Sequence, residues 1–167
     1  MKINIVMVLL LAVLSSCSYS FGGASIPAEM KTATVRVFEN IAPLVVPTLS
    51  NQFTEAVKTR IRNQTRLTIT PTDAQAIFEG QITGYEIKPV ALQSSSTPTA
   101  GANRLTITVS VKYTNSLNTK SSFDQSFSRY YDFPLNGAPI QSLLPQAIEN
   151  INKQLTEDIF NRAFAQW

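Results

Sequence analysis

The spacing of hydrophobic residues along the chain predicts its secondary structure. Alternating apolar and polar positions are typical of strands with one buried face, and they occur in residues 32–39, 76–90, 105–113 and 123–133. Apolar residues three and four positions apart are typical of helices that cover a core, and they occur in residues 48–63 and 142–167. This order predicts a single α+β domain in which two α-helices pack on one face of a mainly antiparallel four- to five-stranded sheet.

The sequence also predicts where the two helices begin. Thr48 is placed to cap the first helix and Ser142 to cap the second, since a hydroxyl there accepts a hydrogen bond from the first turn. Pro145 then falls in the first turn of the second helix, where a missing N–H is tolerated. That helix is expected to run to near Trp167.

Details of the strand patterns assign side chains to faces. Val37 is expected to share the buried face of the first strand with Ala33 and Val35. Gly84 interrupts the second strand, which predicts a bulge or a close backbone neighbour. Leu105–Tyr113 is apolar at every odd position and polar at every even one, so one face is open to solvent or to a partner.

Two segments leave alternatives open. Ser94–Ala102 consists of small, polar and proline residues without apolar periodicity, which predicts a mobile loop or a docking loop that a partner orders. Four aromatic residues line one side of the last strand, either as an ordinary sheet face with a bend or as a surface that receives an acyl or sugar group. They are Phe123, Phe127, Tyr131 and Phe133.

The first residues have the pattern of a bacterial lipoprotein signal. Lys2 precedes an apolar run over residues 3–14, which is shorter than the ~20 residues that cross a bilayer and is typical of a secretion signal. The run ends in Leu14-Ser15-Ser16-Cys17, which resembles a lipobox. We therefore expect a signal peptide over residues 1–16, a Cys17 whose sulfur carries diacylglycerol and acyl chains such as palmitate, a tether over 17–30, and a folded domain over 31–167. A plain secretion signal with a chance cysteine is the alternative.

The composition excludes most catalytic chemistry. The chain has no histidine and a single cysteine, so it has no Ser-His-Asp triad, Cys-His pair or histidine-ligated metal. The spacing of Glu79 and Glu86 puts them on opposite faces of an extended strand, and Glu157 and Asp158 diverge on a helix. We expect no enzymatic activity, no metal and no cofactor.

The charge of the chain points to no nucleic-acid partner. Without Lys2 the mature chain has thirteen basic and eleven acidic side chains, which is too mild an excess to indicate nucleic-acid binding. Basic residues gather near the end of the first helix at Lys58, Arg60, Arg62 and Arg66. They are either cations favoured at a helix C-terminus or, with Lys58, Arg62 and Arg66 as its members, a phosphate-binding patch.

An ordered set of short motifs resembles LptE lipoproteins of the Bacteroidota type. The matching segments are CSYSF at 17–21, ASIP at 24–27, VRVF at 35–38, NIAPL at 40–44, LS and QFTEA within 49–56, TRL at 65–67, GQITGY at 80–85, NRLTITV at 103–109, QSFSR at 125–129 and DIFNRA at 158–163. The resemblance covers essentially the whole mature chain. Its strength lies in the order of the motifs, because none of them is a catalytic fingerprint.

The resemblance implies a role at the outer membrane. LptE proteins plug the outer-membrane barrel LptD, help it to assemble, and can bind lipopolysaccharide, and their two helices lie against a four-stranded sheet. The implied partners are an LptD-like barrel, lipopolysaccharide, and the membrane through the lipid anchor. Lys88, Arg104 and Lys112 are candidate contacts for lipopolysaccharide or the barrel from their positions on the strands. Ser18 at the second mature position fits outer-membrane sorting, with the domain facing the periplasm or inside the barrel lumen.

Two other functions are compatible with the sequence. A lipoprotein that carries a lipid or chaperones another outer-membrane complex would have a deep apolar pocket between helices and sheet, whereas the core of a plug is filled. A hydrolase would bring carboxylates from distant segments into one cleft. The low share of charged residues, 15% against a usual ~25%, favours a surface that a partner covers.

Overall fold

Six strands and two α-helices make up the described part of the chain. The computed structural model describes residues 26–44, 46–91, 100–134 and 137–165. The elements are β1 (Thr32–Val35), β2 (Glu39–Asn40), α1 (Leu49–Gln64), β3 (Thr68–Ile69), β4 (Ala76–Ala91), β5 (Ala100–Asn115), a 3-10 turn (Thr119–Ser121), β6 (Phe123–Pro134) and α2 (Ile140–Phe164). Cys17, the predicted signal and most of the predicted tether lie outside the described residues.

The sheet is mixed, with long antiparallel pairs as predicted and short parallel pairs in addition. Its order is β3-β1-β4-β5-β6, with β2 also paired to β4. The pairs β4–β5 and β5–β6 are antiparallel, but β1 runs parallel to β3 and β4, and β2 runs parallel to β4. The chain crosses over through α1 before β3, and such crossovers join parallel strands. The predicted four to five mainly antiparallel strands differ from this sheet in detail, because the two-residue β2 shows no alternating pattern and because alternation within a strand does not encode the direction of its neighbours.

The first predicted strand is split by an extra residue. Val35 is level with Phe78 and Glu39 is level with Gln81, so four steps along this segment match three steps along β4. An extra residue inverts the side-chain direction of the residues after it. Val37 is therefore 58% exposed, and the prediction that it faces the core is wrong.

Phe38 takes the buried position at this break, and α1 satisfies its main chain. The Phe38 N–H donates to Thr54 Oγ1 at 3.0 Å, and the Phe38 carbonyl accepts from Ser50 Oγ at 2.7 Å. The Phe38 ring is fully buried and meets Phe53 edge-on with centroids 5.0 Å apart. The helix thus supplies the hydrogen bonds that the split strand lacks at Phe38.

The predicted irregularity at Gly84 is confirmed. Ile82 is level with Val109 and Gly84 is level with Thr108, so Thr83 is an extra residue in β4. The long β4–β5 hairpin continues beyond this bulge to Ala91 and Ala100. Residues 100–102, predicted as the end of a loop, lie in β5, and residues 92–99 lie outside the described part.

The beginnings of both helices differ from the prediction. Thr48 makes no side-chain capping bond to α1. The second helix begins at Ile140, with Pro139 in extended geometry at its N-cap. Ser142 is therefore its third residue and donates back to the Pro139 carbonyl at 2.8 Å, and Pro145 is its sixth residue rather than part of the first turn.

Both helices cover the same face of the sheet, and large side chains fill the space between them and the strands. Phe164 of α2 packs against Phe78 and Tyr113, with ring centroids 5.8 and 5.9 Å apart. The largest fully buried side chains are Tyr113, Phe38, Phe53, Phe78, Leu49, Ile61, Ile82, Leu105, Ile107, Ile151, Leu155 and Ile159. The aromatic residues of β6 belong to this helix-covered side, with Phe127 and Phe133 buried.

Candidate partner-binding face of the sheet

The face of the sheet opposite the helices is polar. On β5 the odd-numbered residues from Leu105 to Tyr113 are buried, which directs the even-numbered ones away from the helices. Register continues this polar face across β4 and β6, because Ser110 is level with Gln81 and Ser126. We call it the open face. Its uncharged polar members on the three strands include Gln81, Thr106, Thr108, Ser110, Ser126 and Ser128.

Hydroxyl groups form a stripe across the middle of the open face. Thr108 and Ser128 are level on β5 and β6, and their hydroxyl oxygens are 3.0 Å apart in a hydrogen bond. Thr108 also lies close to Gly84, where a side chain on β4 would press against it. Because the hydroxyl side chains are small, this part of the open face is flat, and it is rich in hydrogen-bond donors and acceptors.

One end of the open face carries a three-membered ionic cluster. The Glu79 carboxylate accepts from Arg36 at 2.8 Å and from Lys112 at 3.0 Å, and it is only a quarter exposed. Glu79 and Lys112 are level on β4 and β5. Arg36, the residue that follows β1, reaches the same carboxylate from the other side of β4. Lys112, a predicted contact residue, is therefore already paired with an acid, which it shares with Arg36.

Lys88 and Arg104, the other two predicted contacts, lie together toward the opposite end. They are level on β4 and β5, and each pairs with its own acid. Lys88 Nζ is 2.8 Å from Glu86 Oε1. The Arg104 guanidinium donates two hydrogen bonds, of 2.7 and 2.8 Å, to the Asp132 carboxylate. The bidentate bond with Asp132 raises the pKa of Arg104, and the same bond with Arg104 lowers the pKa of Asp132.

An exposed aromatic ring extends this charged group. The Arg104 guanidinium lies 3.9 Å from the centroid of the Tyr130 ring, which is 53% exposed. Stacking on a ring and bidentate pairing both hold a guanidinium in one orientation. Asp132 and Tyr130 are not among the predicted contacts. Alternation along the last strand puts them on the same face as Arg104, but only the register between the strands puts them beside it.

The bulge at Thr83 also corrects the placement of two acids. Glu86 lies seven positions after Glu79, and in a regular strand the two would face opposite sides. The extra residue restores Glu86 to the open face, where it is level with Thr106 while Glu79 is level with Lys112. The prediction of opposite faces is wrong. The two carboxylates are nevertheless far apart, because their partners on β5, Lys112 and Thr106, are six residues from each other.

The basic residues of α1 do not form one cluster. Lys58 pairs with Glu55 at 2.7 Å, a bond that lowers the pKa of Glu55. Arg60 turns toward α2, where it donates to the Lys153 carbonyl at 2.9 Å. Arg62 and Arg66 are exposed. Because Lys58 and Arg62 are one helical turn apart, they share a side of α1 that Arg60 does not.

The cavity between the two helices is a surface groove. It has a volume of about 730 Å³, and its lining combines the apolar residues Ala56, Pro145 and Ile148 with polar and charged side chains. The buried Asn152 Oδ1 in this groove has no hydrogen-bond partner. The groove lies between α1 and α2, not between the helices and the sheet, where a lipid carrier would need its apolar pocket.

Two further features are absent from the described ranges. No helix there is long and apolar enough to cross a membrane. The same residues contain no group of three or more acidic or sulfur ligands that would hold a metal ion.

Comparison with solved structures shows the same fold in bacterial proteins. An uncharacterized lipoprotein B from Nitrosomonas europaea matches with a TM-score of 0.50 and 14% identity, over 86% of this chain and 88% of that one. A hypothetical protein from Chlamydia trachomatis matches with a TM-score of 0.53 and 7% identity, over 80% of this chain and 98% of that one. At these identities the likeness shows the fold alone. No curated protein sequence matches the chain.

The family comparison covers most of the folded part. The model of LptE, described as lipopolysaccharide-assembly, matches residues 30–163, which runs from shortly before β1 nearly to the end of α2. LptE proteins form a non-enzymatic family with no known cofactor. The chain belongs to the LptE family.

Proposed function

We propose that the chain is an outer-membrane lipoprotein that plugs an LptD-like β-barrel, helps it to assemble, and with it inserts lipopolysaccharide into the outer leaflet. Family membership supports the role in lipopolysaccharide assembly. In this proposal Cys17 carries the lipid anchor, and the domain faces the periplasm or enters the barrel lumen.

The observation that carries the proposal is the polarity and charge balance of the open face. Barrel lumens are polar, so a plug must offer a polar surface without unpaired charge. Each cation of the open face lies in an ion pair, and the hydroxyl stripe lies between the two charged ends. The four cations are Arg36, Lys88, Arg104 and Lys112, and the acids paired with them are Glu79, Glu86 and Asp132.

The filled core favours a plug over a carrier. Leu105, Ile107 and Val109 of β5 are fully buried beneath the helices, and aromatic rings close the end near Phe164. A carrier holds its lipid in that layer. In this chain packed side chains occupy it instead, so a bound lipid would have to displace them.

The proposal is tested by placing a charge in the hydroxyl stripe. Thr108→Lys puts an unpaired ammonium where the barrel wall is expected, and an uncompensated charge in a contact costs several kcal/mol, which corresponds to a loss of about a hundredfold or more. The measurement is the amount of LptD-like barrel that co-purifies from detergent-solubilised envelopes. Thr59→Lys, on the exposed side of α1, is the matched control and is expected to retain the barrel.

Each result has a defined meaning. Loss of the barrel with Thr108→Lys and its retention with Thr59→Lys support a plug whose open face meets the lumen. Equal recovery with both variants would overturn the assignment of that face. Recovery of monomer alone from the unchanged protein would overturn the plug itself and favour the alternative, a periplasm-facing carrier or chaperone.

Lys88 and Arg104 are proposed to contact the anionic groups of lipopolysaccharide. Their neighbouring positions allow both cations to meet one phosphate, whereas Lys112 lies eight residues along β5, ~27 Å away at the usual rise of a strand. Replacing Lys88 and Arg104 together by Gln is expected to weaken binding of purified lipopolysaccharide by about tenfold, and Lys112→Gln by less. Equal effects of these changes would contradict the assignment.

The phosphate patch of α1 remains a separate proposal. Lys58 and Arg62 share a side of the helix, and Arg66 follows its end, but Glu55 competes for Lys58. Lys58→Gln with Arg62→Gln is therefore expected to change lipopolysaccharide binding less than the Lys88 and Arg104 pair does.

A further inference from the structure

The two edges of the sheet are very different. One edge is β3, which has two residues, and the other is β6, which has twelve. Proteins usually shorten, bend or cover edge strands because the unpaired N–H and C=O groups on an edge can pair with another strand. A long edge on one side of the sheet therefore calls for an explanation.

The β6 edge has little that would block pairing. Its register with β5 runs without a shift from Phe123 to Pro134, whereas β4 carries irregularities near Gly84 and Ala91. Residues 125–128 contain neither a proline nor a charge, and Ser126 and Ser128 are exposed. No other described segment makes a backbone hydrogen bond to the outer side of β6.

A groove of about 470 Å³ lies along this edge between β6 and the last turns of α2. Its lining residues are Ser126, Phe127, Ser128 and Arg129 from the strand, and Asp158, Asn161, Arg162 and Ala165 from the helix. A volume of this size is within the range of ligand sites. The groove combines a free strand edge with a helical wall, an arrangement that suits an extended peptide.

The two ends of the groove differ in their electrostatics. At one end Arg129 and Asp158 form a bidentate pair of 2.5 and 2.6 Å that neutralises both groups and raises the pKa of Arg129. At the other end the Arg162 guanidinium lies 4.8 Å from the centroid of the Phe123 ring. Arg162 makes no ion pair within the described residues, so its donors are available to a partner.

We propose that this groove binds an extended, acidic segment of a partner polypeptide, which adds to β6 as a further strand and places a carboxylate on Arg162. Main-chain hydrogen bonds to the edge supply the affinity, and the groove and Arg162 supply the specificity. The partner segment must be an extended strand with no helix packed against it, because α2 already occupies the space next to the β6 edge. A second copy of this chain would bring its own α2 into that space, so the occupant is a different polypeptide.

The proposal is tested with the purified full chain and a fluorescent peptide of alternating valine and threonine with one central glutamate. Two further versions of the peptide carry backbone N-methyl groups, one on the odd residues and one on the even residues. Only one edge of an added strand pairs with β6, so one methylated version is expected to lose about tenfold or more in affinity and the other much less. Fluorescence anisotropy gives the three dissociation constants.

Two substitutions test the role of Arg162. Arg162→Gln removes the free cation and is expected to weaken peptide binding by about fivefold or more. Exchanging the peptide's glutamate for glutamine is expected to have the same effect. Combining the two changes is expected to cause no further loss of affinity, because both remove the same contact. Lys31→Gln is the control, because Lys31 is exposed, makes no ion pair in the described part of the chain, and lies just before β1, three strands away from β6.

Several results would overturn the proposal. They are an absence of peptide binding, equal binding of the two methylated peptides, and equal effects of Arg162→Gln and Lys31→Gln. Dimers of the peptide-free chain in sedimentation, abolished by peptide, would replace the partner segment by a second copy. Because the assay contains no barrel, its outcome is independent of the proposed plug function.

Discussion

At the scale of single residues, Gly80 shows how closely β4 and β5 approach the segment around Phe38. A Cβ at this position would overlap the Ser110 carbonyl oxygen and would lie 2.9 Å from Phe38 Cε1. The carbonyl belongs to the backbone of a central strand and cannot move without disturbing its neighbours. A hydrogen at this position is therefore required by the packing.

Gly80→Ala is expected to lower the free energy of unfolding by about 1–3 kcal/mol, the usual cost of overpacking. Gly84→Ala is the matched comparison, since its nearest contact is the Thr108 side chain at 3.1 Å and a side chain can adjust. Urea unfolding of the two variants measures the difference. An effect of Gly84→Ala as large as that of Gly80→Ala would show that the close approach is not what sets the cost.

Tyr113 links burial to pH at the same scale. Burial raises the pKa of Tyr113 to about 12, and its hydroxyl makes no hydrogen bond while Asn115 Oδ1 accepts from Leu117 and Asn118. The folded-state pKa of Tyr113 lies above the unfolded value of about 10, so folding favours the neutral side chain. The contribution of Tyr113 to the free energy of unfolding is therefore fully present below pH ~10 and is lost as the pH rises toward 12.

Tyr113→Phe removes that dependence. The variant is expected to be as stable as the unchanged protein at pH 7, or slightly more stable, because an unpaired buried hydroxyl is removed. Between pH 10 and 12 it is expected to lose less stability than the unchanged protein. Chemical denaturation across this range provides the test, and identical pH profiles would contradict the account.

At the scale of elements, α1 and the break between β1 and β2 depend on each other. The helix begins where two hydroxyl side chains, Ser50 and Thr54, reach the backbone of Phe38. Thr54 is buried and also donates to the Ser50 carbonyl. The helix therefore supplies polar partners to the split strand as well as an apolar face.

Thr54→Val keeps the shape of the side chain and leaves the buried Phe38 N–H without an acceptor. We expect the free energy of unfolding to fall by about 1–3 kcal/mol and the Phe38 amide to exchange with solvent faster. Thr59→Val on the exposed side of α1 should stay within about 0.5 kcal/mol of the unchanged protein. Unaltered exchange at Phe38 would count against this role of Thr54.

At the scale of the whole molecule, the sheet separates two environments. One face is covered by helices and filled with apolar side chains, and the open face carries hydroxyls and paired charges. The β6 edge offers a third surface with free backbone groups. A lipid at Cys17 and contacts on the open face would then be two independent attachments to the outer membrane.

Membrane fractionation separates the two attachments. Cys17→Ala is expected to release the chain to the soluble fraction if the lipid is its only anchor, since several acyl chains at ~0.8 kcal/mol per buried CH₂ are what hold it. A barrel partner would retain part of it, and adding Thr108→Lys should then release that part. Adding Thr59→Lys instead should leave it bound. If the chain carrying both Cys17→Ala and Thr108→Lys remained entirely in the membrane fraction, neither the lipid nor the open face would be what attaches it.

The sequence by itself determined the long elements and the two faces of the central strand. Alternation from Leu105 to Tyr113 and helical spacing in α1 and α2 are repeated over many residues, so each residue agrees with its neighbours. The ordered motifs likewise indicated the family, and the family comparison confirms it. The absence of histidine limits the catalytic chemistry that this chain could perform in any fold.

Only the tertiary structure decided which face a side chain takes after a local irregularity. One extra residue before Glu39 turned Val37 outward, and another at Thr83 put Glu79 and Glu86 on one face, because the side-chain period of a strand is two. Ion pairs such as Arg104–Asp132 join residues that are distant in the chain, and no local spacing encodes them. The groove beside β6 likewise exists only because α2 folds back along that edge.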